Sequence, residues 1–285
     1  MEILINDKPA DITLNTEKTL GDVLQGLDLW ISRTGNRIQG INADGQDLKD
    51  DTLTEAFSRN IKDIRKLNIS VSTWRELASG ALEELLQTSE LYMNARFDER
   101  AGVKSDWEDS AAARFLATDI KDIYVLAGLT FSGEGLSPSD LILVINERLR
   151  EITNPREEIR SAETLVKNIA ARIEEYPLDI QTGKDQHAAE TLQLFAGTGE
   201  KLFRIFFTLG SECLSLDTLI IDNLPARSFI DEFNTVLREL SAAFENLDIV
   251  LAGDIAEYEL APRLLKFYTT LKDITESDFP VMSKS

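Results

Sequence analysis

Two hydrophobic periods divide this chain, and they change over within one short stretch. Between Lys66 and Ser72, Leu67, Ile69 and Val71 alternate with Asn68, Ser70 and Ser72, the period of two that marks a strand with one buried face. Thr73 then stands three residues before Glu76 in the arrangement of a capping box, and from Trp74 onward apolar residues return every three to four positions. The pattern predicts sheet up to residue 72 and helix from 73, an α+β protein with domains over 1–72 and 73–275 and a mobile tail over 276–285 that lacks any apolar period.

The first domain reads as hairpin, helix, hairpin, strand. Met1, Ile3 and Ile5 are spaced to face inward, and after Asp7-Lys8-Pro9 the pair Ile12 and Leu14 continues the alternation as a second strand. Thr16 or Thr19 is placed to cap a helix with the stripe Leu20, Val23, Leu24, Leu27, Trp30 and Ile31, ending near Gly35, where a positive φ is readily adopted. Ile38 and Ile41 belong to a third strand, Asp44-Gly45 is a short-hairpin signal, and Leu48 resumes the pattern beyond it. A turn or short helix over Asp51–Phe57 precedes the closing strand.

This order, with Met1-Glu-Ile-Leu-Ile at the start, Asp44-Gly45-Gln46-Asp47-Leu48 at a tight hairpin and Leu67-Asn-Ile-Ser-Val at the close, resembles the ubiquitin-like β-grasp fold over about a quarter of the chain. The resemblance implies a compact module that commonly binds other proteins. Conjugation and sulfur transfer in that family need a free Gly-Gly terminus, whereas here Val71 runs into Ser72-Thr73-Trp74, so carrier chemistry is not expected.

Beyond Thr73 the spacing predicts an antiparallel helical bundle with helices over 74–97, 106–131, 138–152, 155–176, 185–209, 226–246 and 249–275. Ser105 with Glu108 reads as a second capping box, and Ser137-Pro138 and Asn154-Pro155 as further helix starts. The longest seams are Ile159 to Tyr176, Ala188 to Leu209 and Phe229 to Leu247. Pro262 must kink or restart the last helix. Residues 210–225 fit either a short helix or an extended strap.

Charge changes what such a bundle can bind. Fifty acidic against thirty basic residues give a formal net charge of −20. Residues 1–72 hold 9 Lys/Arg and 12 Asp/Glu, a net of −3, and the remainder 21 and 38, a net of −17. Such a surface repels nucleic acid and anionic lipid and favours a basic protein partner. The single Cys213, read as a core thiol, rules out an intrachain disulfide, and no run nears the roughly 18 apolar residues of a membrane span. The expected setting is the cytoplasm.

Four motifs have chemical readings. Gly197-Thr198-Gly199-Glu200-Lys201 resembles a phosphate loop, but Leu202 stands where Ser or Thr is required and the flanks are helical, so Gly199 reads as a small seam residue allowing close helix approach. Asn42-Ala43-Asp44-Gly45-Gln46-Asp47 lacks the first ligand of a calcium loop and reads as a hairpin turn. His187, the only histidine, excludes sites needing two and reads as solvent-facing. In Leu251-Ala-Gly-Asp-Ile-Ala-Glu-Tyr-Glu-Leu-Ala-Pro, the residues Asp254, Glu257, Tyr258 and Glu259 collect acids and an aromatic beside a helix interruption, and form the candidate partner-binding surface.

No catalytic set, metal site or cofactor emerges. The function expected is a cytoplasmic protein-interaction component, an adaptor, assembly factor or chaperone for a basic or helical partner, not an enzyme. The alternative is a carboxylate and divalent-metal enzyme with its site in a helical cleft, and a third class is acidic mimicry of nucleic acid.

Overall fold

The computed structural model describes residues 1–14, 16–33, 35–210, 219–246 and 248–276; Cys213, Leu247 and the expected tail beyond Glu276 lie outside them. The chain is α+β, a mixed sheet followed by a mainly helical region. It divides into two units, Met1–Ile145 and Asn146–Ser285.

The first unit opens with β1 (Glu2–Ile5), β2 (Lys8–Pro9), α1 (Leu20–Arg33), β3 (Asn36–Ala43), β4 (Gln46–Asp47), α2 (Asp50–Ala56), a 3₁₀ turn at Ile61–Asp63 and β5 (Lys66–Thr73). The sheet order is β2-β1-β5-β3-β4, with β1 and β5 parallel and the other pairs antiparallel. Asp44 and Gly45 take positive φ between β3 and β4, which matches the strand twist in a two-residue turn. Asp44 also accepts from the Arg65 and Lys66 N–H groups at 2.9 Å, so the acidic stretch at 42–47 is a hairpin whose carboxylate is taken up by backbone. Leu20, Val23, Leu24, Leu27 and Ile31 of α1 bury against Ile3, Leu67 and Ile69. Ile38 and Ile41 break the period of two, and a register shift between Ile38 and Gly40 lets both pack on that core.

Three expectations fail here. Ile12 and Leu14 pack on the core without joining a strand, because ladder pairing ends at Pro9, beyond which only Ala10 bonds back to β1, donating to the Ile3 carbonyl. Met1 is exposed while Leu4 is buried, and Trp30 stands out of the α1 stripe, half in solvent.

Thr73 and Glu76 form the expected reciprocal cap, the Glu76 N–H donating to Thr73 Oγ1 at 3.1 Å and the Thr73 N–H to Glu76 Oε2 at 2.9 Å, and start α3 (Trp74–Asn94). The helix expected over 106–131 is three: α4 (Arg100–Glu108), α5 (Ala111–Asp119) and α6 (Lys121–Phe131). Ser105 lies inside α4 and caps nothing. The cap is Ser110, whose extended backbone breaks the helix and whose hydroxyl accepts from the Ala113 N–H at 3.0 Å. Tyr92, Trp107 and Phe131 pack together, with Phe131 4.8 Å from Tyr92 and 5.4 Å from Trp107. Ser137 caps α7 (Pro138–Thr153) by accepting from Asp140.

The second unit contains α8 (Pro155–Ser161), α9 (Glu163–Glu174), α10 (Tyr176–Gln181), α11 (Asp185–Gly210), β6 (Ile220–Ile221), β7 (Leu224–Pro225), α12 (Ala226–Glu245), α13 (Ile249–Ile255), a π-turn (Ala256–Leu260) and α14 (Ala261–Glu276). The single helix expected over 155–176 is broken near Ala162 and again at Glu175, the second break imposed by Pro177, which lacks an N–H and would clash with the carbonyl four residues earlier. Residues 220–225 form a small hairpin. Phe195, Phe206, Phe229, Phe233 and Phe267 fill the core between α11, α12 and α14. Gly199 is buried, yet a Cβ there meets nothing within 4 Å, so it is not a close-approach residue. No described helix is long and apolar enough to cross a membrane.

Candidate functional site

The candidate residues lie at the end of α13 and in the π-turn that joins it to α14, where an extra residue is accommodated. Asp248 starts α13 by accepting from the Leu251 N–H at 3.0 Å. Pro262 supplies no N–H, and its ring is kept clear of the Tyr258 carbonyl by the wider π-turn, closed by the Ala261 N–H on the Ala256 carbonyl. Ala256 and Leu260 point into the core, which leaves the other residues of the turn outside.

Asp254 and Tyr258 are exposed, Tyr258 with 64% of its surface open, and Glu257 is half-buried between them. The Glu257 carboxylate beside the Tyr258 hydroxyl, with the charge of Asp254, holds the phenol above its usual range. Glu259 is separated from this group: it turns to Arg263, which also lies 3.9 Å from Glu232 of α12. The structure thus brings Asp254, Glu257 and Tyr258 together and gives Glu259 a different task.

The sequence reading missed the apolar neighbours. Ile249, Val250 and Leu251, at the start of α13, are all exposed, as are Phe244 near the end of α12 and Leu178 on α10. Tyr176 sets its ring edge-on to Phe244 at 6.2 Å. Gly253 brings α13 onto α10 so closely that a Cβ there would lie 3.0 Å from Pro177 Cβ. The available signal was a run of three consecutive apolar residues directly after a capping aspartate, which an amphipathic helix does not need.

Several other ionisable groups are held in ion pairs. Lys201 reaches Glu158 at 2.7 Å and Glu147 at 3.1 Å from inside α11, so the glycine-containing motif around it is continuous helix with its ammonium engaged by carboxylates. Burial pulls Lys201 down, but those two carboxylates outweigh it and hold the group above its usual value. Glu151, almost wholly buried, accepts two bonds from Arg204 at 2.7 and 2.8 Å, and burial pushes its carboxyl up to about 7 against the opposing charges of Arg148 and Lys201. His187 is half-exposed and not simply solvent-facing: its Nδ1 lies 2.5 Å from the buried Asp179, whose other oxygen takes Lys184 at 3.2 Å. The His187 bond, opposed by burial and aided by Lys184, keeps Asp179 below the usual carboxylate range. Among the described residues no three His, Cys, Asp or Glu side chains are grouped to hold a metal ion.

Two stretches match known families. Residues 1–73, the whole mixed sheet to the end of β5, match the TP0873 N-terminal domain, and residues 157–270, which include the face around Tyr258, match a domain of unknown function, DUF8042. No curated protein and no solved structure was found to match the chain.

Proposed function

We propose that this chain is a protein-interaction component of the cytoplasm, an adaptor, assembly factor or chaperone that works by binding and not by turnover. One observation carries the reading: Asp254, Glu257 and Tyr258 present an acidic and aromatic face on a helix fixed by the π-turn, beside exposed aliphatic side chains. An exposed aromatic next to open apolar surface is what a protein interface uses as an anchor. The N-terminal sheet is read as a ubiquitin-like β-grasp module, a reading supported by the order β2-β1-β5-β3-β4 with a parallel central pair. Because β5 passes directly into α3, such a module acts as a fixed binding element and not as a carrier with a free end.

The test is to replace Tyr258 with photo-reactive benzoylphenylalanine and irradiate living cells. A discrete adduct is expected, lost in a background of Glu245→Gln, Asp254→Asn and Glu257→Gln and retained with Glu83→Gln, Glu84→Gln and Glu90→Gln, three exposed acids of α3. Absence of any adduct, or equal loss in both backgrounds, overturns the reading.

A further inference from the structure

We infer that the face made by α10, the end of α12 and the start of α13 seats one amphipathic helix of a partner protein, with lysine or arginine along its polar side. The inference rests on the interaction reading above and names the chemistry of the partner.

The elements that carry the exposed apolar residues are packed on one another. Leu178, Phe244, Ile249, Val250 and Leu251 are open to solvent, Val250 with 72% of its surface exposed. They are held on one frame by two contacts, Gly253 against Pro177 and Tyr176 against Phe244. Leu251, Asp254 and Tyr258 then follow at steps of three and four along the axis, about 10 Å of rise, which is two turns of a facing helix.

Charge decides what lies on it. From Glu239 to Pro262 the chain holds Glu239, Glu245, Asp248, Asp254, Glu257 and Glu259 and no lysine or arginine. Glu174 and Glu175 add exposed carboxylates just before α10. Of the six, Glu259 is already paired with Arg263, and among the described residues none of Glu245, Asp248 and Asp254 has a cationic partner. Lys184, just beyond α10, is taken up by Asp179, and an apolar surface flanked by such an excess of carboxylates selects an apolar stripe flanked by the opposite charge and repels anionic lipid and nucleic acid. The elements here are helices whose backbone bonds are internal, so the occupant gains side-chain contacts and not strand pairing, which is helix-in-groove recognition.

The experiment uses the full chain and two synthetic 18-residue peptides that share one Leu/Phe stripe, one with Lys and Arg on its polar face and the other with Glu. Fluorescence anisotropy is expected to show saturable binding of the basic peptide alone. Its affinity should fall about tenfold or more with Val250→Asp and again between 0.05 and 0.5 M salt. Leu143→Asp, an equally exposed site on α7, should change nothing. Equal binding of both peptides, no saturable binding, or equal sensitivity to Leu143→Asp overturns the inference, as does binding of phosphatidylglycerol vesicles in place of peptide. If the basic peptide fails while the adduct at residue 258 persists in cells, the basic helical partner is wrong and the interaction reading stands. If both fail, both are wrong.

Discussion

Gly253 and Pro177 stand so close that α13 and α10 touch through a position where any side chain would intrude. Alanine at 253 would gain about 1 kcal/mol in helix propensity and spend a similar amount on the tight contact, so Gly253→Ala should leave stability within about 1 kcal/mol of the parent. Gly253→Leu forces the helices apart and should destabilise by about 2–3 kcal/mol. Urea unfolding measures both, and Pro177→Ala should recover part of the loss in the leucine background but not in the parent. Additive effects would show that the two residues are not coupled.

Gly199 behaves oppositely. It sits inside α11 with open space where a Cβ would be, so Gly199→Ala should stabilise the chain by about 1 kcal/mol through helix propensity alone. A loss of stability in urea unfolding would restore the close-approach reading of this glycine.

Glu151 should give stability a pH dependence of its own. Its carboxyl moves from 4.5 to about 7 on folding, so between those values the folded state holds the proton more tightly than the unfolded state. Its contribution is therefore complete below about pH 4.5 and declines as pH rises to 7, by an amount on the order of 3 kcal/mol. Glu163, held down to about 2 by Lys167 and Lys272, acts with the opposite sign below pH 4.5, so the two windows do not overlap. Urea unfolding at pH 5, 6, 7 and 8 should show the decline in the parent and a flatter profile in Glu151→Gln. Identical slopes would remove Glu151 as the cause.

Arg37 on β3 bonds both oxygens of Asp119 on α5, at 2.6 and 2.8 Å, and lies over the Phe115 ring at 5.9 Å. Asp119 is largely buried and Arg37 half-open, so the pair should contribute only about 1 kcal/mol. A double-mutant cycle with Arg37→Ala and Asp119→Asn should return a coupling of that size. A coupling near zero would mark the pair as incidental.

Much of the architecture was legible because period and caps agree: the changeover at Thr73 is visible as alternation ending in a reciprocal Thr73–Glu76 cap. What was hidden is instructive. Ser105 and Glu108 have capping-box spacing, yet Ser110 has the extended backbone a cap needs, and spacing alone does not choose between two serines in one polar stretch. At the candidate face, Asp254, Glu257 and Tyr258 were readable as a cluster, but the aliphatic residues around them were not. They stand on elements joined where Pro177 meets Gly253, a contact between positions 76 residues apart that local spacing does not show. The π-turn had a trace in the sequence. Ala252, Ala256, Leu260 and Leu264 are buried at three successive steps of four, each advancing the stripe about 40° in a regular α-helix, a drift that only a wider turn cancels.

A helix that carries one surplus residue also marks where the chain can change length. Losing one residue between Ala256 and Leu260, with Pro262 replaced by a residue that has an N–H, would return the segment to an ordinary α-helix with its inward stripe still in phase on both sides. Only the outward face would be rewritten, because the residue removed comes from the side bearing Glu257 and Tyr258. Insertion and deletion at this point are thus a way for descendants of the sequence to alter what the surface presents while inheriting the same interior.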